Sequence, residues 1–159
     1  MNRSELVSYI NNLLQVDKFR DYCPNGLQVE GRTVIRKIVT GVTACQALID
    51  AAIEIEADAI LVHHGFFWKS ESPCVEKKKK NRLQALLKHD ISLLAYHLPL
   101  DAHHELGNNV QLAKKLGSGI TEALYPENPK QVGNIAVLDE PMLADDFSAL
   151  CMQILGQKP

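Results

Sequence analysis

Two adjacent histidines, His63 and His64, close the short apolar run Ala59-Ile60-Leu61-Val62 and are followed at once by Gly65. A second run of the same build, Ile91-Ser92-Leu93-Leu94-Ala95-Tyr96, leads into His97-Leu98-Pro99-Leu100-Asp101. Imidazole and carboxylate donors suit zinc, manganese, iron or nickel, and the donor types alone do not choose between these divalent ions. Successive residues of a strand point to opposite faces, so His63 and His64 could not easily hold one ion from within regular β-structure. At a strand's end that constraint relaxes, and two diverging rings suit a pair of ions. Asp101 can bridge such a pair or bind one member, because a carboxylate has two oxygens. The candidate metal ligands are therefore His63, His64 and Asp101. The competing reading is that strand-end histidines are ordinary hydrogen-bonded polar residues; the H-L-P-L-D segment at the end of the second run shifts the balance towards metal.

His97 has three readings: a ligand, a residue that orients a ligand without touching the ion, or a structural group in the turn before Pro99. The orienting role is preferred. His103 and His104 lie in a loop after Asp101, where they are surface residues or substrate contacts. Phe66-Phe67-Trp68 follow the histidine pair directly, and packing is the first explanation for such a cluster. Stacking on a planar ring such as a nucleobase is the second. No residue is assigned a catalytic role from the sequence.

These side chains need a frame. Both runs are short, and the first is bounded by a glycine, as buried strands are. Leu6, Val7, Ile10, Leu13 and Leu14 follow the helical period behind Ser4, the expected cap of a first helix. Pro24-Asn25-Gly26 predicts a turn. A strand is expected from Val34 to Val42, then a helix from about Ala44 to Ala57 capped by Thr43, with Ala47, Leu48, Ala51, Ala52 and Ile55 inward. Further helices are expected through Leu83, Leu86 and Leu87 and from Asn109 to Leu116. A strand over Asn134–Leu138 and a helical pattern from Pro141 to Leu155 complete the series. Alternation of strand and helix predicts an α/β fold, a largely parallel sheet with helices on both faces, layered α/β/α. In such sheets ligands bind at the carboxyl edge, where the two runs end.

The length of 159 residues fits one α/β metal-binding domain. A formal charge of -2 gives no electrostatic footprint for nucleic acid or an anionic membrane. Lys77 to Lys80 is the one basic cluster, read as a solvated helix start ahead of a phosphate-binding patch. Cys23, Cys45, Cys74 and Cys151 form no C-x-x-C pair, which excludes zinc-ribbon and thioredoxin motifs. With no signal peptide before Ser4 and no apolar stretch near the roughly 20 residues of a membrane span, a cytoplasmic location is expected. Gly156-Gln157-Lys158-Pro159 reads as a helix exit towards another element, so the chain is expected to be part of a longer protein.

Several segments together resemble the type 2 GTP cyclohydrolase I-like family, dinuclear-metal proteins related to the Ngg-interacting factor. They are Asp21-Tyr22-Cys23-Pro24-Asn25-Gly26-Leu27-Gln28-Val29-Glu30-Gly31, Val39-Thr40-Gly41-Val42-Thr43-Ala44, Asp58 to Gly65, His97 to Ala102, and Gly107-Asn108-Asn109. The resemblance implies two divalent metal ions per subunit, with His63, His64 and Asp101 among their ligands. It also implies homo-oligomers, ring-shaped hexamers whose metal sites face an internal cavity. The family's remaining ligands, a histidine and a glutamate of an H-x-x-x-E motif, belong to a C-terminal part this chain lacks; Glu122, Glu127 and Glu140 do not stand in that context. The expected function is a metal-dependent hydrolase acting on a nucleotide or related heterocycle, GTP cyclohydrolase chemistry being its most specific form. The alternative is a non-catalytic metal-binding scaffold or regulatory interaction protein.

Overall fold

The computed structural model describes residues 1–127 and 132–157. They fall into two compact units, Met1–Pro99 and Leu100–Pro159. The first contains α1 (Arg3–Leu13), β1 (Gly26–Val29), β2 (Ile38–Thr43), α2 (Gln46–Glu54), β3 (Ala59–His64), α3 (Lys77–Lys88) and β4 (Ser92–Ala95). The strands lie in the order β1-β4-β3-β2; β2, β3 and β4 run parallel, and β1 joins the edge antiparallel. The fold is α/β with a largely parallel sheet, as the alternating pattern predicts.

The two histidine-bearing runs are the central strands. Ile60 pairs with Leu93 and Val62 with Ala95, so these four apolar residues share one face. They form a core with Ile49 and Ala52 of α2, Leu86 of α3, and Phe66. Each such leucine or isoleucine contributes roughly 1.5–3 kcal/mol by leaving water. Residues of the other parity, Leu94 and Tyr96, are equally buried. The Tyr96 hydroxyl donates to Asn11 Oδ1 of α1 at 2.9 Å, which places a helix over that face too.

A buried carboxylate anchors the entrance of β3. Asp58 Oδ2 accepts from the Arg36 and Lys37 amides at 2.7 and 2.9 Å, and Oδ1 accepts from Arg32 Nη1 at 2.9 Å. Burial alone would raise the Asp58 carboxyl, but these amides and the Arg32 charge outweigh it and hold it below its ordinary value. Gly31 shows a different constraint: a Cβ there would sit 2.5 Å from the backbone of Asp90, Ile91 and Ser92.

Some local expectations shift. Asn2, not Ser4, caps α1: its side chain accepts the Ser4 amide, and Glu5 reaches back to the Asn2 amide, forming a capping box. Val34 and Ile35 pair with the N-terminus instead of starting β2. Cys45, not Thr43, occupies the cap position of α2. That helix buries Ile49 and Ala52, whereas Ala47, Ala51 and Ile55 are exposed. Lys77 to Lys80 open α3, largely exposed, as expected of a solvated helix start.

α4 (Leu98–Ala102) spans the division between the units. The second unit continues with α5 (Asn108–Lys115), an antiparallel pair of β5 (Ser118–Ala123) and β6 (Asn134–Leu138), and α6 (Ala144–Leu155). Gly156 ends α6 at φ 70°, the left-handed cap that glycine favours; Lys158 and Pro159 lie outside the described residues. Among the described residues no helix is long and apolar enough to cross a membrane.

Candidate metal centre

Parallel pairing of β3 and β4 brings their carboxyl ends side by side, and the Tyr96 amide extends the pairing by donating to the Val62 carbonyl at 3.0 Å. The residues that follow are His63 and His64 on one strand and His97 on the other. Their rings converge: centroids lie 4.3 Å apart for His63 and His64, 5.0 Å for His63 and His97, and 5.4 Å for His64 and His97. One nitrogen from each ring lies within 4.8 Å of the others. Nitrogens sharing one ion at roughly 2.0–2.1 Å stand at most about 4.2 Å apart. Small side-chain rotations therefore suffice, and the all-imidazole donor set fits a zinc- or iron-type ion.

Backbone chemistry sets the orientation of His63. Its Nδ1 lies 3.0 Å from the Tyr96 carbonyl oxygen. A carbonyl only accepts, so Nδ1 carries the hydrogen and Nε2 is the accepting nitrogen of the neutral ring. Gly65, directly after the pair, leaves room for the Gln28 side chain of β1: a Cβ there would lie 2.0 Å from Gln28 Oε1.

His97 is buried and clamped by the loop preceding β1. Its Nδ1 sits 3.0 and 3.2 Å from the two oxygens of Asp21, and its amide donates to Asn25 Oδ1 at 2.7 Å. Asp21 also accepts from the Tyr22 and Leu98 amides and from Asn25 Nδ2. Burial would raise the Asp21 carboxyl; the bonds from Asn25, His97, Leu98 and Tyr22 together hold it below its ordinary value. The neighbouring Cys23 thiol is pushed up to about 12, first by burial and then by the Asp21 charge. It is a neutral thiol at physiological pH. Asp21, Cys23 and His97 are also close enough to reach one cation, but a neutral thiol and an imidazole nitrogen already bonded to the carboxylate disfavour an ion there.

The aromatic triplet divides its roles. Phe66 is buried in the core and stacks on Phe67 at 4.9 Å. Trp68 turns to the histidines, 5.8 Å from the His64 ring and 5.4 Å from His97. Tyr22 stacks on Trp68 at 5.9 Å, and the Lys69 amide donates to the Tyr22 carbonyl at 2.9 Å, tying the two loops together. Tyr22, Trp68, Lys69 and Ser70 line a concave surface beside the rings.

Of the residues singled out from sequence, His63, His64 and His97 come together. Asp101 lies on α4, where its Oδ1 accepts from Asn108 Nδ2 at 2.8 Å. His103 closes a turn, its Nδ1 accepting from the Glu105 and Leu106 amides, and His104 is exposed. The roles of Asp21, Asn25 and Tyr22 were not foreseen. The available signal was an acid and an amide four residues apart around a Pro-Asn-Gly turn.

The family model described as Duf34/NIF3 (NGG1p interacting factor 3) matches residues 1–159. A Pseudomonas aeruginosa protein named GTP cyclohydrolase 1 type 2 homolog is 54% identical over 98% of this chain, which covers 62% of that relative. A solved structure described as protein ybgI, of unknown function, superposes with a TM-score of 0.94 at 47% identity, over 100% of this chain and 62% of the other. A Thermus thermophilus protein superposes with a TM-score of 0.86 at 37% identity, over 100% of this chain and 63% of that one. The chain thus spans somewhat less than two thirds of the length of these relatives.

Proposed function

For a chain that belongs to the Duf34/NIF3 family, we propose a metal-dependent hydrolase acting on a nucleotide or related heterocycle through a dinuclear site. The observation that carries the metal part of this reading is the convergence of His63, His64 and His97 at the carboxyl edge of the sheet; the second ion rests on the family resemblance. His63, His64 and Asp101 are the proposed metal ligands, the last on the strength of the family resemblance. Two divalent ions per subunit, a cytoplasmic location and a ring-shaped homohexamer belong to the same proposal.

The chemistry such ions supply when bound is activation of water and polarisation of the bond under attack. The chain's own residues do the rest. The Tyr96 carbonyl holds His63 in the tautomer whose Nε2 accepts. The Trp68 and Tyr22 rings wall the site and offer an aromatic face to a planar substrate. His97, held by Asp21, is placed to orient a ligand or to relay a proton.

A panel of nucleotides and related heterocycles, assayed with metal-loaded full chain and with the longest natural form, tests the reading. Hydrolysis that His64→Ala abolishes is expected; no turnover across the panel overturns it. GTP cyclohydrolase chemistry is the narrower form and requires a metal-dependent dihydroneopterin product from GTP.

The family description, which names an interacting factor, favours a second reading: a metal-stabilised scaffold or regulatory partner. His64→Ala and Asp101→Ala separate the two. A scaffold loses stability or assembly with its metal, whereas an enzyme keeps its fold and loses turnover.

A further inference from the structure

We propose that Asp21 is a positioning residue: it fixes His97 as the Nδ1–H tautomer, so that the nitrogen His97 offers beside His63 and His64 is the lone-pair-bearing Nε2. The inference rests on the cation reading above for its purpose, but not for its first test.

The donor pattern around Asp21 carries it. The Tyr22 amide donates to Oδ1 at 2.7 Å, while the Leu98 amide and Asn25 Nδ2 donate to Oδ2 at 3.0 and 2.9 Å. Each of these partners can only give a hydrogen, so both oxygens act as acceptors. The proton in the 3.0 Å contact between Oδ1 and His97 Nδ1 therefore belongs to the imidazole. The two nitrogens of an imidazole point away from one another, so a ring anchored through Nδ1 presents Nε2 on the side away from Asp21. A carboxylate hydrogen-bonded to one imidazole nitrogen sets the ring's tautomer and orientation.

Rotation of the ring is blocked. His97 is 6% exposed. The Tyr22 ring packs edge-on against it at 5.1 Å and Trp68 at 5.4 Å. The backbone is pinned by the same loop, because the His97 amide donates to Asn25 Oδ1 at 2.7 Å. Asp21 holds both the ring and the Leu98 amide that follows it, while Asn25 holds the His97 amide and braces Asp21 Oδ2.

A purely structural clamp would fasten the same loop to the same strand, so the test must read the ring itself. Histidine-selective ¹⁵N long-range correlation spectra of the metal-free full chain report each tautomer. Zinc competition against a chromogenic chelator then reports affinity for wild type, Asp21→Asn and Asn25→Ala. Expected are an Nδ1–H His97 in wild type and an appreciable Nε2–H population in Asp21→Asn. Zinc binding by that variant should weaken roughly 10–100-fold with the His63 signals unmoved. Asn25→Ala removes the acceptor of the His97 amide and one of the donors to Asp21 Oδ2, but leaves the carboxylate and its Oδ1 contact with Nδ1, and so keeps the wild-type tautomer.

An Nε2–H His97 in the wild-type protein overturns the proposal without any variant, so a misfolded Asp21→Asn does not shelter it. An Asp21→Asn protein with unchanged tautomer and unchanged affinity overturns it as well. If wild type binds no zinc, the hydrolase reading fails by itself, and the tautomer shift still decides the role of Asp21.

Discussion

The Tyr96 carbonyl oxygen and His63 Nδ1 lie 3.0 Å apart, joining the ends of the two central strands through a side chain instead of the ladder. The contact exists because β3 and β4 are parallel neighbours in register, and it dictates which nitrogen of His63 can accept a cation. Replacing His63 or His64 with alanine should leave the far-ultraviolet circular dichroism intact. Zinc binding should fall by more than the roughly 10–100-fold that loss of an outer partner costs. Equilibrium dialysis with zinc checks this.

Trp68 is the single tryptophan of the chain, and its ring is 5.8 Å from that of His64. Its emission therefore reports on the centre. Titration with cobalt(II), a quencher with imidazole affinity, should reduce the fluorescence saturably at a stoichiometric concentration. The same titration of His64→Ala should give only shallow, non-saturating quenching.

Much of this site was legible in the sequence, for a definable reason. His63, His64 and His97 terminate apolar runs, and parallel pairing of consecutive runs delivers their ends to one edge. The Asp21–His97 contact joins residues 76 apart, and no local pattern encodes a pairing of that span. β1 was hidden behind its own turn signal: four residues carry little period, and only pairing with β4 makes them a strand. The buried face of α2 is only partly legible, Ala52 and Leu48 facing the core as expected but Ile49 not foreseen, because apolar residues occupy six of the nine positions of that short helix. Several stripes fit equally well, and contact with β2 and α3 selects Ile49 and Ala52. The division of Phe66 and Phe67 from Trp68 likewise depends on tertiary packing.

Asp58 predicts an acid-sensitive strand entrance. Its folded carboxyl lies below the ordinary value of about 3.9. Its contribution is therefore complete above that ordinary value and is lost as pH falls through the lower folded one. Asp58→Asn should cost about 1–3 kcal/mol at neutral pH, since three donors lose an ionised acceptor. Urea unfolding from pH 6 to pH 2 should show the gap between wild type and variant closing at the acid end. A gap that stays constant contradicts the assignment.

Two glycines should respond oppositely to alanine. At Gly31 the new Cβ meets fixed backbone at 2.5 Å, so Gly31→Ala should destabilise by about 1–3 kcal/mol or more. At Gly119 in β5 nothing lies within 4 Å, and Gly119→Ala should be neutral or stabilise by up to about 1 kcal/mol. Thermal unfolding of the two variants provides the comparison.

Cation binding by the strand-end imidazoles is what the proposed function requires. An anomalous-difference map from crystals of the zinc-loaded protein, collected on both sides of the zinc edge, addresses it most directly. A peak is expected within roughly 2.0–2.2 Å of nitrogens of His63 and His64. Loaded crystals with no peak at these rings, or with zinc bound only at other side chains, would contradict it.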